Sequence, residues 1–300
     1  MSAVAAGSVA VALVLDLAVG EPPERIHPVV GFGRAIDTVD REWNHPGLAG
    51  LGVAVVLPLV GATVAWAAVT TAGLAGPLLE GIVAGTLLFT AISLRRLRTV
   101  AETVVEQTTT DVVAARASVV ALVGRDVSSL GAPALRSAAL ESVAENLADG
   151  LVAPLTAFAL GSLVSLPVAA GAAIWVKEVN TCDSMLGYRT HPMGRASARL
   201  DDVVAWLPAR LTALTLAIVA GRPQSIAEAS AWAREPASPN SGWPMATMAV
   251  AVDVRLEKPD AYVLNPGAGA PTVAEAARGV KIAWGAGLLT VALAGVVGWY

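Results

Sequence analysis

A single cysteine, Cys182, stands in 300 residues, which excludes an internal disulfide and any Cys-rich zinc pattern and leaves the thiol to packing. Charge is scarce too: Asp, Glu, Lys and Arg make up 15% of the chain, well below the usage of an ordinary soluble domain. No basic stretch is long enough to neutralise several phosphates, and the formal net charge is -4 with a pI near 5.4. These features exclude a nucleic-acid partner, while single arginines still suit small phosphates. No Lys or Arg precedes Arg25, and Asp16 interrupts the first apolar run near its end. That run therefore reads as a retained helix, not a cleaved leader. A Walker loop is missing, no Ser-His-Asp order can be argued, and the Gly-Ala-Gly-Ala stretch around residue 268 lacks the strand and helix of a dinucleotide fold. Any nucleotide site must be unconventional.

What is abundant is apolar: 55% of residues are hydrophobic and the mean hydropathy is +0.63. A bilayer core takes roughly 20 mostly apolar residues as a helix, and the runs 2 to 19, 48 to 72, 78 to 93 and 282 to 300 approach that length. The expected fold is an all-α, polytopic membrane protein, one domain over 1–300, with a polar helical excursion at about 94–149. Gly161 and Pro167 divide the apolar segment Leu155 to Val176 into two halves, each too short to cross alone. Two readings stay open there. A re-entrant hairpin would bring the polar motifs ending at Asp149 and beginning at Asn180 to one membrane face; a kinked spanning helix would separate them. All 20 Lys and Arg fall in the intervals 20 to 47, 94 to 149, 177 to 210 and 222 to 281. Positive residues mark the cytoplasmic side. If all four intervals are cytoplasmic, the segment Ala205 to Gly221 must dip or lie flat.

Within the excursion, Leu97, Val100 and Val104 recur at helical steps, with Arg98, Glu102 and Glu106 on another face. One helix is expected from Leu94 through the Val120 region. Gly124, Gly131 and Pro133 then make a turn into a second helix that runs to about Asp149. On that helix Glu141, Glu145 and Asp149 sit at successive four-residue steps. Like charges so spaced cost a few tenths of a kcal/mol per pair. A Mg²⁺ would give the chain a reason to keep all three. The alternative, which the spacing alone favours, is a solvated face screened by Arg136.

A second polar cluster, Asn180, Thr181, Asp183 and Ser184, is either a ligand site or a helix N-cap, since these residue types satisfy orphan amides. A third combines Arg199, Asp201 and Asp202 with Arg210 two residues past Pro208. Arg199 and Asp202 suit a simple pair, while two arginines beside an apolar segment suit an anionic ligand gripped by their planar forks. His27, before Pro28 in a proline-rigid segment, reads as a structural cap or packed ring, with a titration range that also suits proton transfer. His45 and His191 carry no supporting context. The stretch Ser238 to Ala251 reads as a loop leading into an apolar helix.

Taken in order, DLAVGEPPERIHPV, VGRD, ESVAENLADG, NTCDSMLGY, ARLDDVVAWLPARLTA and SPNSGWPMA closely resemble the adenosylcobinamide-phosphate synthases of cobalamin biosynthesis, the CobD/CbiB family. The resemblance runs from about residue 13 to residue 282. It implies an integral membrane enzyme that joins adenosylcobyric acid to (R)-1-amino-2-propanol phosphate, or the free amine, with ATP as co-substrate and Mg²⁺ as cofactor. On that reading Glu141, Glu145, Asp149 and Asp183 supply metal ligands, and Arg199 and Arg210 bind phosphate. Asp201 or Asp202 takes a proton from the attacking ammonium, Glu141 also counts as catalytic, and Asn146, Asn180 and His27 contact substrate. The implied partners are the corrinoid, aminopropanol phosphate, ATP, membrane lipid and other late-pathway enzymes; the implied place is the cell membrane, with the active site facing the cytoplasm. The sequence departs from the family pattern AENTSDG at Leu147 and Ala148, which removes two hydroxyls, and at Ala205, where asparagine is common; the link between NTCDSM and ARLDD is also shorter. The competing class is a non-catalytic membrane signalling or scaffolding paralogue.

Overall fold

Long runs of small and branched apolar residues without a charge leave helix as the only way to satisfy the backbone inside a bilayer. The computed structural model describes residues 2–25, 27–124, 126–187 and 192–300, and these are helical apart from one two-stranded hairpin and the connecting loops. Among them, Pro46–Gly73, Pro77–Thr110, Ala132–Ser162 and Val273–Trp299 are long and apolar enough to cross a membrane, and a bent pair, Arg195–Val204 with Trp206–Val219, qualifies when taken together. The protein is thus an all-α, multi-pass membrane protein. Leu48, Leu51, Val55, Leu59 and Val64 along the first of these helices are exposed, which is the lipid-facing side that water would not tolerate.

The chain folds as two compact units. The first comprises Met1–Ser93, Asp149–Ala205 and Val291–Tyr300. It holds α1 (Ser2–Val19), α2 (Pro28–Val39), α3 (Pro46–Gly73) and α4 (Pro77–Ala91), then α8 (Ala153–Ser162), α9 (Leu166–Leu186) and α10 (Arg195–Val204). The second comprises Leu94–Ala148 and Trp206–Thr290, with α5 (Leu94–Thr110), α6 (Val112–Val119), α7 (Ala132–Leu147), α11 (Trp206–Val219), α12 (Ser225–Ala229), α13 (Gly242–Val252), β1 (Leu256–Lys258) and β2 (Tyr262–Leu264). A last helix, α14 (Val273–Trp299), begins in the second unit and ends in the first.

In the first unit, small residues set the spacing. Gly81 and Gly85 on α4 lie against Val4, Ser8 and Val11 of α1, and Ser8 Oγ donates to Gly81 O at 2.9 Å. α1 coincides with the apolar run 2 to 19 and is shorter than the four long helices. Gly61 of α3 leaves the space that the Glu178 carboxylate of α9 fills. Cys182 is buried with Ile36, Val53, Leu186 and Met193, as a packing residue.

Several expected boundaries move. The first helix of the excursion breaks at Asp111, whose Oδ1 accepts from Val113 N at 2.9 Å and Ala114 N at 3.0 Å; this N-cap starts α6 instead of letting α5 continue. Pro133 does open α7. That helix does not stop at Asp149, however: a π-helical turn, Ala148–Val152, carries it into α8 without a break. The halves of the Leu155 to Val176 segment are therefore parts of longer helices, not short dips. They do fold back on each other, since the chain turns at Leu163–Ser165 and a Cβ on Gly161 would lie 2.7 Å from Ala169 Cα. The Ala205 to Gly221 segment is the 14-residue helix α11, too short to cross alone.

Candidate functional site

Among the described residues, polar groups gather in both units. In the second, α7 buries Glu141 to 3% exposure. A carboxylate so placed is costly unless donors replace its water, and two hydroxyls do: Ser137 Oγ donates to Oε1 at 3.0 Å, and Tyr262 OH donates to Oε2 at 2.8 Å. Glu141 lines a cavity of about 190 Å³ with Ser142, Glu145, Lys258, Tyr262 and Gly124. This overturns the solvated-face reading of the acidic stripe. Arg136 does not screen it; its Nε donates to Pro271 O at 2.7 Å and its Nη1 to Thr108 Oγ1 at 3.0 Å. Asn146 braces the cavity wall by donating to Ser142 O at 2.9 Å and Leu122 O at 3.4 Å. Beyond Gly124, the exposed Asp126 accepts from the backbone N–H and the hydroxyl of Ser128, and these bonds hold its carboxyl below the usual range.

Arg210 also lies in this unit. Nη1 donates to Trp206 O at 3.0 Å and to Asn240 Oδ1, and Nη2 donates to Pro239 O at 3.3 Å. The guanidinium sits over Trp206 and Trp243, 4.8 and 5.4 Å from the ring centroids. It clamps the SPNSGWP loop to α11, which gives that motif a structural purpose composition did not reveal.

In the first unit, the helical hairpin of α8 and α9 sets the geometry. Gly161 packs on Ala169, so α8 and α9 run antiparallel away from that contact. Lys177 lies within electrostatic reach of Asp149 and Glu21. Asn180, one turn further on, donates to Asp201 Oδ1 of α10 at 3.5 Å. The Gly-Glu-Pro-Pro turn and Asp149 thus act electrostatically on Lys177 of α9, and α10 meets the next turn of α9 through Asp201. The N-cap reading of Asn180 to Ser184 fails because these residues form the last turns of α9: Thr181 Oγ1 donates to Lys177 O at 2.8 Å and Ser184 Oγ to Asn180 O at 2.9 Å. His27, by contrast, is a cap, with Nδ1 accepting from Val29 N at 3.2 Å at the start of α2. Arg199 is exposed on α10, with Asp201 and Asp202 half-buried. Arg125, Tyr188 and His191 lie outside the described residues.

The four proposed metal ligands divide between the units: Glu141 and Glu145 belong to the second, Asp149 and Asp183 to the first. Among the described residues no three His, Cys, Asp or Glu side chains gather into a metal cage. The pair Glu141 and Glu145 on one cavity still fits Mg²⁺, which is commonly held by one or two carboxylates together with substrate phosphates. Sequence reasoning missed Ser137, Lys177, Lys258 and Tyr262. The signal for the last two was present in LEKPDAYVL, two short strand-like pieces around a Pro-Asp turn.

Long apolar helices carrying clustered acids and bases define a multi-pass membrane protein with a polar centre in each unit. The family model described as CobD/Cbib protein matches residues 9–292. The chain is 40% identical to the cobalamin biosynthesis protein CobD of Rhodobacter capsulatus, with 92% of each chain covered. It is 36% identical to that of Klebsiella pneumoniae subsp. pneumoniae, with 94% of each covered, and 35% identical to a probable CobD of Methanothrix thermoacetophila, with 84% of each covered. The chain belongs to the CobD/CbiB family. No solved structure matches it.

Proposed function

We propose that the chain acts in cobalamin biosynthesis as the synthase that joins adenosylcobyric acid to (R)-1-amino-2-propanol phosphate, or to the free amine, through an ATP-dependent amide bond. The observation that carries this reading, beside family membership, is the buried Glu141 carboxylate, fixed by Ser137 and Tyr262 in a cavity shared with Glu145 and Lys258. A fixed acid pair beside a cation is suited to phosphoryl chemistry.

A corrin propionate is a poor electrophile because its carboxylate repels an amine and has no good leaving group. In the first step a propionate oxygen attacks a phosphorus of ATP, and the bond to ADP or pyrophosphate breaks. The amine nitrogen then attacks the activated acyl carbon; the C–N bond forms, the C–O bond breaks, and phosphate or AMP leaves. Asp201 or Asp202 takes the proton that the ammonium gives up. Glu141 and Glu145 would hold Mg²⁺, which would offset phosphate charge. The residues otherwise orient two reactants, and much of the acceleration follows from holding them in register.

Purified full-length chain in detergent, given adenosylcobyric acid, aminopropanol phosphate and MgATP, is expected to form the amide. A chain that binds these without forming product is a scaffold or sensor, and the synthase reading falls. The distribution of Lys and Arg supports a site facing the cytoplasm. In a Cys182→Ala background, Asn180→Cys in intact cells is expected to resist an impermeant thiol reagent added outside; labelling would reverse the orientation.

A further inference from the structure

The hairpin β1–β2 matches no catalytic motif, yet it supplies two side chains to the second unit's cavity. Lys258 and Tyr262 are register partners, and directly opposed residues in an antiparallel pair present their side chains on one face. The turn between them is closed by Ala261 N donating to Lys258 O at 3.1 Å, with Asp260 at a left-handed φ of 59°, a conformation Asp tolerates better than most residues. Two bonds dock the hairpin on α7. Ser137 Oγ accepts from Glu257 N at 2.8 Å while donating to Glu141, and Tyr262 OH reaches the other Glu141 oxygen. One buried carboxylate therefore fixes the hairpin, and the hairpin fixes that carboxylate. Among the described residues Lys258 makes no ion pair, so a cation lines the cavity without being spent on a neighbour.

The geometry points to a phosphoryl-binding pocket here, in which Lys258 meets phosphate oxygens, Glu141 and Glu145 hold the accompanying magnesium ion, and Tyr262 acts through Glu141 as a positioning residue. The shared chemistry is a magnesium-bound phosphoryl group. Its source, ATP or the phosphorylated amine, rests on the synthase reading. The cavity, of about 190 Å³, has room for phosphate and a cation.

Equilibrium binding to the full chain in detergent micelles tests this without turnover, using MgATP in one arm and aminopropanol phosphate with Mg²⁺ in the other. Lys258→Met is expected to weaken one of these ligands by about tenfold or more, the loss of one charge-assisted hydrogen bond, and Lys258→Arg to recover most of it. Tyr262→Phe is expected to leave phosphate binding intact at saturating Mg²⁺ while raising the Mg²⁺ concentration for half-binding roughly tenfold. A merely structural tyrosine would move both together. Wild-type affinity for both ligands in Lys258→Met overturns the pocket. If wild type binds MgATP but forms no amide, and Lys258→Met loses that binding, the pocket stands and the synthase reading falls. If wild type forms amide while Lys258→Met and Tyr262→Phe bind as it does, the synthase reading stands and the pocket falls.

Discussion

In the second unit a carboxylate is aimed: Glu141 accepts hydroxyl bonds of 3.0 and 2.8 Å on its two oxygens and is nearly free of water. In the first unit a cation, not a pair of neutral hydroxyls, stands among the carboxylates. Lys177 feels Asp149 and Glu21 as a field, and the Asn180 to Asp201 bond is stretched to 3.5 Å. The difference separates two kinds of polar centre. A carboxylate held from both sides has its orientation settled before any ligand arrives, which is what charge stabilisation in a phosphoryl transfer demands. A half-buried lysine among acids instead keeps a charge balance that a ligand can enter and alter. Substitutions should therefore act differently in the two units: through carboxylate orientation at Glu141 in the second, through charge at Lys177 in the first.

The largest expected effect follows from Glu141→Gln. The amide keeps the shape but loses the charge, so amide formation should fall by at least about a hundredfold, some 2.7 kcal/mol of barrier, with membrane insertion unchanged. Turnover within a few-fold of wild type would remove Glu141 from the chemistry and dissolve the comparison. An intermediate effect is expected for Lys177→Met, because it removes the cation on which both Asp149 and Glu21 act. Activity should drop about tenfold, and adding Glu21→Gln should restore part of it, since coupled charges are not additive. A double variant no better than the single one would show that Lys177 acts through something other than that charge balance.

The contrast also explains what could be read from the chain. Long apolar runs at Pro46–Gly73 and Pro77–Ala91 are recognisable because length and hydropathy are local properties. The acid-rich stretch at Glu141 to Asp149 is visible as composition, but its burial is not. The hydroxyl that makes burial tolerable belongs to Tyr262, 121 residues away, on a hairpin that no periodicity of α7 foretells. Asn180 to Ser184 mislead for a different reason. Their residue types favour N-caps, yet inside a helix Thr and Ser hydroxyls return to the carbonyl four residues earlier, so the same composition ends a helix here. The π turn at Ala148–Val152 has no simple sequence signature at all, although such turns are frequent at functional sites.

The smallest effect should come from Asn180→Ala. At 3.5 Å its bond to Asp201 sits at the limit of a useful hydrogen bond, and Asn180 is only half-buried, so water can take over the lost donor. A change of about 0.5 kcal/mol, roughly twofold in activity, is expected from that contact alone. Steady-state rates with saturating and limiting amine make the check informative. If Asn180 only braces Asp201, kcat and KM change little together. A loss beyond tenfold confined to KM for the amine would mean that Asn180 touches substrate directly, and that the first unit's cluster tightens around its ligand into the same kind of aimed centre that the second unit builds without one.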